Sequence, residues 1–332
     1  MDCEISKIAE IYNMLGDDYS KEIYGLRVLY SLTNDYKYID KLISKTLPGK
    51  WLESKLLGMK DKDILLYGAG IRGRILARIY SNYFDVVIDN DYEMQGKELE
   101  GLKIVALSEA LENYPDAIVV LSMKYNSNLV LEELVQRGVS RDRILDMGRQ
   151  ISELRNKQYF DLRELKVQEE EVFVDCGAFD GDTSIEFKKW CKENYKHIYA
   201  FEPDEDNNSL CKQNLDEDIH KGKCTVFNKG TWSKETILEF SKNSDEASHI
   251  CEGGTEKIEV LSLDAELFYK KNEKVTFIKM DIEGAELETL KGASRIITEQ
   301  KPKLAVCVYH KPEDIFTIPE YLRTLNPDYK FY

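Results

Sequence analysis

The spacing of apolar residues changes along the chain, and the changes divide it. In "ISKIAEIYNML", Ile5, Ile8, Ile11 and Tyr12 fall on one helical face. "DDYSKEIYGLRVLYSL" repeats the spacing with Ile23, Leu26, Leu29 and Tyr30, and "GDD" before it supplies a break and acidic residues for a helix start. Residues 1–60 therefore read as a helical segment, either a packing cap or a surface for forming a homo-oligomer. From 61 to 150 short apolar runs alternate with helical patterns. "DILLYGAG", "DVVIDND", "AIVVLSM" and "RILDMG" read as strands, "IRGRILARIYSNY" and "NLVLEELVQRG" as helices. Residues 151–170 are charged and read as a linker containing a helix. A second alternating run fills 171–332, with strands at "VFVDCG", "IYAFEPD", "TVFNKG", "VTFIKMD" and "KLAVCVYH", and an added hairpin from "ILEFS" and "KIEVLSLD". The expected fold class is α/β, with a helical segment and two successive parallel-sheet domains.

Composition narrows the chemistry. The 332 residues carry a formal charge of −15, which repels polyanions and argues against a nucleic-acid partner, whereas a neutral or cationic small molecule suits the field. The seven cysteines are odd in number and contain no C-x-x-C pair, so reduced thiols in a cytoplasm are expected rather than disulfides or zinc. No apolar run approaches the roughly 18 residues of a membrane span, and the first residues do not read as a signal peptide.

Each α/β run opens on a glycine turn. "GAGIRG" places Gly68, Gly70 and Gly73 between a strand and a helix, with Asp89 ending the next strand where a ribose-binding carboxylate would lie. Helix N-terminal amides would face a phosphate. This domain resembles the Rossmann-like N-terminal domains of bacterial amino-sugar acetyltransferases, which implies contact with a nucleotide-sugar. A purely structural turn and a dinucleotide site for redox chemistry remain as alternatives.

The second turn, "VFVDCGAFDGDTSIEF", has Asp175 at the strand end, then Gly177, Gly181, Asp182 and Thr183. A turn flanked by acids suits phosphates poorly. It suits a cationic cofactor with a zwitterionic tail, such as S-adenosylmethionine. Glu202 ends the next strand and could accept bonds from ribose hydroxyls. "VTFIKMDIEGAELETLKGA" then brings Lys279, Asp281, Glu283 and Glu286 to the end of a later strand, with Lys279 and Asp281 expected on one face.

Taken in order, "VFVDCGAFDGDT", "YAFEPD", "NKGTWS", "LSLDAEL" and "FIKMDIEGAELETLKGA" resemble the successive motifs of FkbM-type S-adenosylmethionine-dependent methyltransferases, over about half the chain. The resemblance implies a class I methyltransferase fold with a seven-stranded sheet and methylation of a hydroxyl on a sugar, glycan or natural product. It implies a cofactor site of Asp175, Gly177, Ala178, Phe179, Gly181, Asp182, Thr183, Glu202 and Asn228, with Asp281 by the methyl group. The chain stops at "DYKFY", where the family continues to a closing strand, so a missing strand is expected.

For the catalytic step, Asp281 is expected to orient acceptor or cofactor and Lys279 to polarise it, unless the two are a structural ion pair. Glu283, Glu286 and His310 are further candidates to receive a proton. His197, His220 and His249 read as surface residues. Metal dependence is not expected, since no ligand spacing is diagnostic. Two other readings stay open: an NAD-dependent oxidoreductase or epimerase centred on Gly68–Gly73, and a non-catalytic nucleotide-sugar-binding module.

Overall fold

Runs of consecutive apolar residues form strands buried on both faces. In the computed structural model, which describes residues 2–123, 126–155, 158–241, 249–250 and 256–332, such runs build the centres of two parallel sheets. They belong to two compact units, Gly25–Arg155 and Met1–Tyr24 with Asn156–Tyr332.

In the unit Gly25–Arg155 the strands are β1 (Ile64–Tyr67), β2 (Val86–Ile88), β3 (Glu98–Leu99), β4 (Leu102–Val105), β5 (Ile118–Leu121) and β6 (Ile144–Asp146). The order is β3-β4-β2-β1-β5-β6, and all pairs are parallel except β3 with β4. Successive residues of β1 point to opposite faces. Ile64 and Leu66 pack with Leu52, Leu56 and Leu76, while Leu65 and Tyr67 pack with Val119, Leu121 and Leu134. Leu52 and Leu56 come from the helix Leu47–Leu57, so the second half of the expected helical segment covers one face of this sheet. Arg78 ties the helix Tyr36–Lys45 to the helix Ile71–Tyr80 through a bidentate pair with Asp40, at 2.6 and 2.5 Å.

In the other unit the strands are β7 (Glu171–Cys176), β8 (Tyr195–Phe201), β9 (Cys224–Phe227), β10 (Gly230–Thr231), β11 (Thr236–Ser241), β12 (His249–Ile250), β13 (Glu256–Leu261), β14 (Phe277–Met280) and β15 (Lys303–Val306). The main sheet runs β15-β14-β7-β8-β9, all parallel. The chain order therefore reverses at β7, between β8 and β14, which is where open α/β sheets bind ligands. A smaller sheet, β10-β13-β11-β12, contains the expected hairpin as antiparallel β11 and β13. Phe173, Phe187, Phe277 and Phe160 fill one side of the main sheet, with Phe173 and Phe187 stacked at 4.3 Å. Val174, Phe201, Met280 and Leu290 fill the other.

Two expectations change. The main sheet holds five strands where the family resemblance implies seven, and among the described residues no antiparallel strand joins β15. After the helix Asp314–Leu325 the chain turns instead toward the N-terminal residues, where Gly16 N–H donates to Phe331 O at 2.8 Å and Leu15 bridges Phe331. The first helix, Asp2–Met14, packs on Asp314–Leu325, with Lys7 and Glu320 paired at 2.7 Å. Residues 1–60 are thus shared between the units rather than forming one cap. Five cysteines, 176, 191, 211, 224 and 307, are buried free thiols. No helix among the described residues is long and apolar enough to cross a membrane.

Candidate active site

The turn after β7 is shaped by two glycines at positive φ. Gly177 has φ +79°, and a Cβ there would lie 2.1 Å from Asp281 O. The turns after β7 and β14 therefore touch through bare backbone. Gly177 and Ala178 both donate their N–H to Phe201 O at 3.0 Å. Gly181, at φ +87°, ends the turn before the helix Asp182–Trp190. Between them Phe179 is held at φ +50° with its ring 55% exposed. A left-handed, solvent-facing phenylalanine is an outlier of the kind that accumulates at ligand sites. Asp182 is exposed and Thr183 half-buried on the first turn of that helix.

Glu202 closes the turn from the β8 side. Its Oε2 accepts Phe179 N–H at 2.9 Å and its Oε1 accepts Asp204 N–H at 3.0 Å. Burial raises its pKa, against the lowering effect of these two amides. Each oxygen retains acceptor capacity. Asn228 donates to Glu202 O and Pro203 O, at 3.2 and 3.1 Å, and so braces the same loop.

Beneath the turn lies a buried ion pair. Asp175 and Lys279 face each other across β7 and β14, with Asp175 Oδ1 3.0 Å from Lys279 Nζ. Ser184 Oγ donates to Asp175 Oδ2 at 2.8 Å, and Lys279 donates to Gly177 O at 2.6 Å. Burial alone would lower the lysine pKa; the charges of Asp175 and Asp281 raise it instead. The carboxylate expected to face the cofactor is turned toward Lys279, and Lys279 pairs with Asp175 rather than with Asp281. This follows from register: Asp281 lies beyond the end of β14, so it does not share the strand face of Lys279.

Asp281 anchors the polar cluster at the surface. Tyr159 donates to Oδ2 and Tyr309 to Oδ1, each at 2.8 Å. Burial raises the Asp281 pKa, but the Lys279 charge and these hydroxyls outweigh it and hold the group below 3.8. Burial and the nearby Asp281 push Cys307 up to about 12, and the same burial raises both tyrosines. These groups are hydrogen donors, not bases. His310 brings Nε2 to 3.4 Å from Asp281 Oδ1 and 3.3 Å from Glu283 Oε2, and Nδ1 to 2.8 Å from Glu286 Oε1. Burial lowers the imidazole pKa, and the carboxylates of Glu286, Glu283 and Asp281 more than reverse this. Of the other histidines, His197 contacts Thr225 Oγ1 at 2.9 Å within the sheet and His220 is exposed; neither joins the cluster. His249 lies in β12, and its side chain is outside the described residues.

Residues 175–331 match the family model described as the methyltransferase FkbM domain. That stretch, a little under half of the chain, is similar to a methyltransferase domain. A crystal structure of methyltransferase FkbM from Methylobacillus flagellatus KT is 19% identical, with 83% of this chain and 88% of that chain covered and a TM-score of 0.49. No curated protein matches the chain. The family match does not reach residues 61–150, and the resemblance of that region to acetyltransferase N-terminal domains has no support among these comparisons.

The first glycine turn is built on the same plan as the one after β7. Gly68 has φ +104°, and a Cβ on Gly73 would fall 1.7 Å from Gly68 O. Asp89 Oδ2 accepts Ala69 N–H at 2.7 Å, as Glu202 accepts Phe179 N–H. Asp89 Oδ1 takes Asp91 N–H at 2.9 Å, and Ser122 Oγ donates to Tyr67 O at 2.8 Å. Space is open around Gly70, the residue before the helix Ile71–Tyr80. What distinguishes the turn after β7 is the cluster of Asp281, Glu283 and His310 beside it.

Proposed function

We propose that residues 171–332 transfer a methyl group from S-adenosylmethionine to a hydroxyl of a sugar, glycan or natural-product intermediate. The observation that carries this reading is the contact of Gly177 with Asp281 at the point where strand order reverses, with Glu202 on the adjoining strand. It joins the glycine turn to a polar cluster. Residues of the turn, Gly177, Ala178, Phe179, Gly181, Asp182 and Thr183, would line the cofactor. The donor set fits: Glu202 offers two carboxylate oxygens with acceptor capacity to a ribose diol. Asn228 supports this loop from behind, and Asp175 with Lys279 holds the turn in shape from below. When bound, the cofactor supplies an activated methyl on a sulfonium.

The protein's own task is alignment and proton removal. Asp281, held by Tyr159 and Tyr309, lies beside the turn where an acceptor hydroxyl would approach, with Glu283 and His310 next to it. In the reaction the acceptor oxygen gains a carbon bond, the sulfur–methyl bond breaks, and the hydroxyl proton leaves to this cluster. Incubation with methyl-labelled S-adenosylmethionine and a panel of free sugars, sugar nucleotides and polyols tests the reading. Label in an acceptor, lost on Asp281→Asn, supports it. Amino acids and carboxylic acids are included in the panel, and label found only in these would contradict the hydroxyl assignment.

A further inference from the structure

Beyond the ends of β14 and β15, Asp281, Glu283 and His310 each offer one ligating atom, all within 4.8 Å of one another. The distances from His310 Nε2 to the two carboxylate oxygens are 3.4 and 3.3 Å. Ligands held about 2.1 Å from one metal ion stand roughly 3.0–3.4 Å apart in octahedral or tetrahedral geometry. Acids alone would make an ordinary solvated face. The imidazole makes the difference. Its side chain is 9% exposed, and both ring nitrogens are buried without a hydrogen-bond partner. Nδ1 is near Glu286 Oε1 but not in hydrogen-bond geometry, and Nε2 is aimed between Asp281 and Glu283. Three carboxylates crowd around this imidazole, and a bound cation would relieve their mutual repulsion.

The surroundings agree. Tyr159 and Tyr309 fix the Asp281 carboxylate, and Glu286 stands behind the imidazole with its side chain fully buried. Hydroxyl donors such as Tyr159 and Tyr309 orient a metal-binding carboxylate.

We propose that Asp281, Glu283 and His310 bind a divalent cation, with open positions for water and the acceptor's oxygens. Two carboxylates and one imidazole suit Mn2+ better than Ca2+, which takes oxygen ligands only. This departs from the expectation of a metal-free site. The ion's role rests on the proposed methyltransferase reading: with the cluster committed to the ion, a hydroxyl bound to it loses its proton more readily, to solvent in place of the cluster, and the oxygen forms its bond to carbon as the sulfur–carbon bond breaks.

The test is titration of the full chain with Mn2+, followed by electron paramagnetic resonance of the free ion. One ion per chain is expected, with affinity reduced at least ~10-fold by Glu283→Gln and by His310→Ala. Circular dichroism melts establish that each variant is folded. Glu283 is partly exposed, so Glu283→Gln keeps the test decisive if His310→Ala does not fold. Absence of Mn2+ binding by folded protein, or binding that Glu283→Gln leaves unchanged, overturns the proposal. S-adenosylhomocysteine binding without Mn2+ binding would remove the metal site and leave the methyltransferase reading standing. Mn2+ binding without S-adenosylhomocysteine binding would do the reverse.

Discussion

Gly177 meets two constraints at once, a left-handed backbone and contact with Asp281 O. Gly177→Ala must shift the turn after β14, so its expected effect is loss of S-adenosylhomocysteine binding together with a fall in stability. Unchanged binding by calorimetry would show that the two turns are not coupled as described. Lys279 is the second decisive residue. Lys279→Met leaves the Asp175 carboxylate buried and uncompensated, which costs about 3–5 kcal/mol. Urea unfolding reads this directly, and a loss under about 1 kcal/mol would mean that water reaches the pair. At this scale the sequence was only partly legible. The glycines, Glu202, Asp281, Glu283 and His310 stood out because they fall in the turns and motifs that follow the apolar strands. The partner of Lys279 was hidden, since whether Asp175 or Asp281 faces it depends on where β14 ends. Tyr159 and Tyr309 carried no signal: they are two of 20 tyrosines, and Tyr159 meets Asp281 across 122 positions.

Strands were the most legible elements. β1, β5, β7 and β14 are buried at every residue; β1 and β5 read as unbroken apolar runs, and β7 and β14 as apolar runs interrupted by Glu171, Asp175 and Lys279. The two-residue strand β3 and its partner β4, "LKIV", gave too short or too mixed a pattern to stand out beside the flanking loop. The helices at the start were recognised, but not their division, because an amphipathic stripe says that a helix packs without saying on what. The helix Asp182–Trp190 shows how an element serves the site: Phe187 anchors it by stacking on Phe173, directly under the glycine turn. Phe187→Ala is expected to lower stability by about 3–5 kcal/mol in denaturant unfolding. A loss below about 1 kcal/mol would contradict the packing described here.

For the whole molecule, acid sensitivity follows from buried ion pairs distant from the turn. Asp218 is buried, which alone would raise its pKa; the bond from Lys188 at 2.7 Å and the Tyr195 hydroxyl outweigh this and hold it below 3.8. Glu273 is likewise held below 4.5, burial being outweighed by Lys196 at 2.6 Å and Tyr199 at 3.0 Å. For a carboxylate whose folded pKa is depressed, the stabilisation is present above the unfolded pKa and is lost as pH falls through the folded value. The urea midpoint of wild type should therefore exceed that of Asp218→Asn at pH 7, and the gap should narrow toward pH 3. A constant gap would contradict the assignment.

Two sheets with two similar glycine turns pose a choice that the fold alone does not make. Calorimetric titration of the full chain with S-adenosylhomocysteine, repeated on Glu202→Gln, decides it most directly. Micromolar binding by wild type, weakened at least ~10-fold in the folded variant through loss of a charged acceptor, is the predicted result. No binding by folded wild type, or binding indifferent to Glu202 and lost on Asp89→Asn, would contradict a cofactor site at the turn after β7.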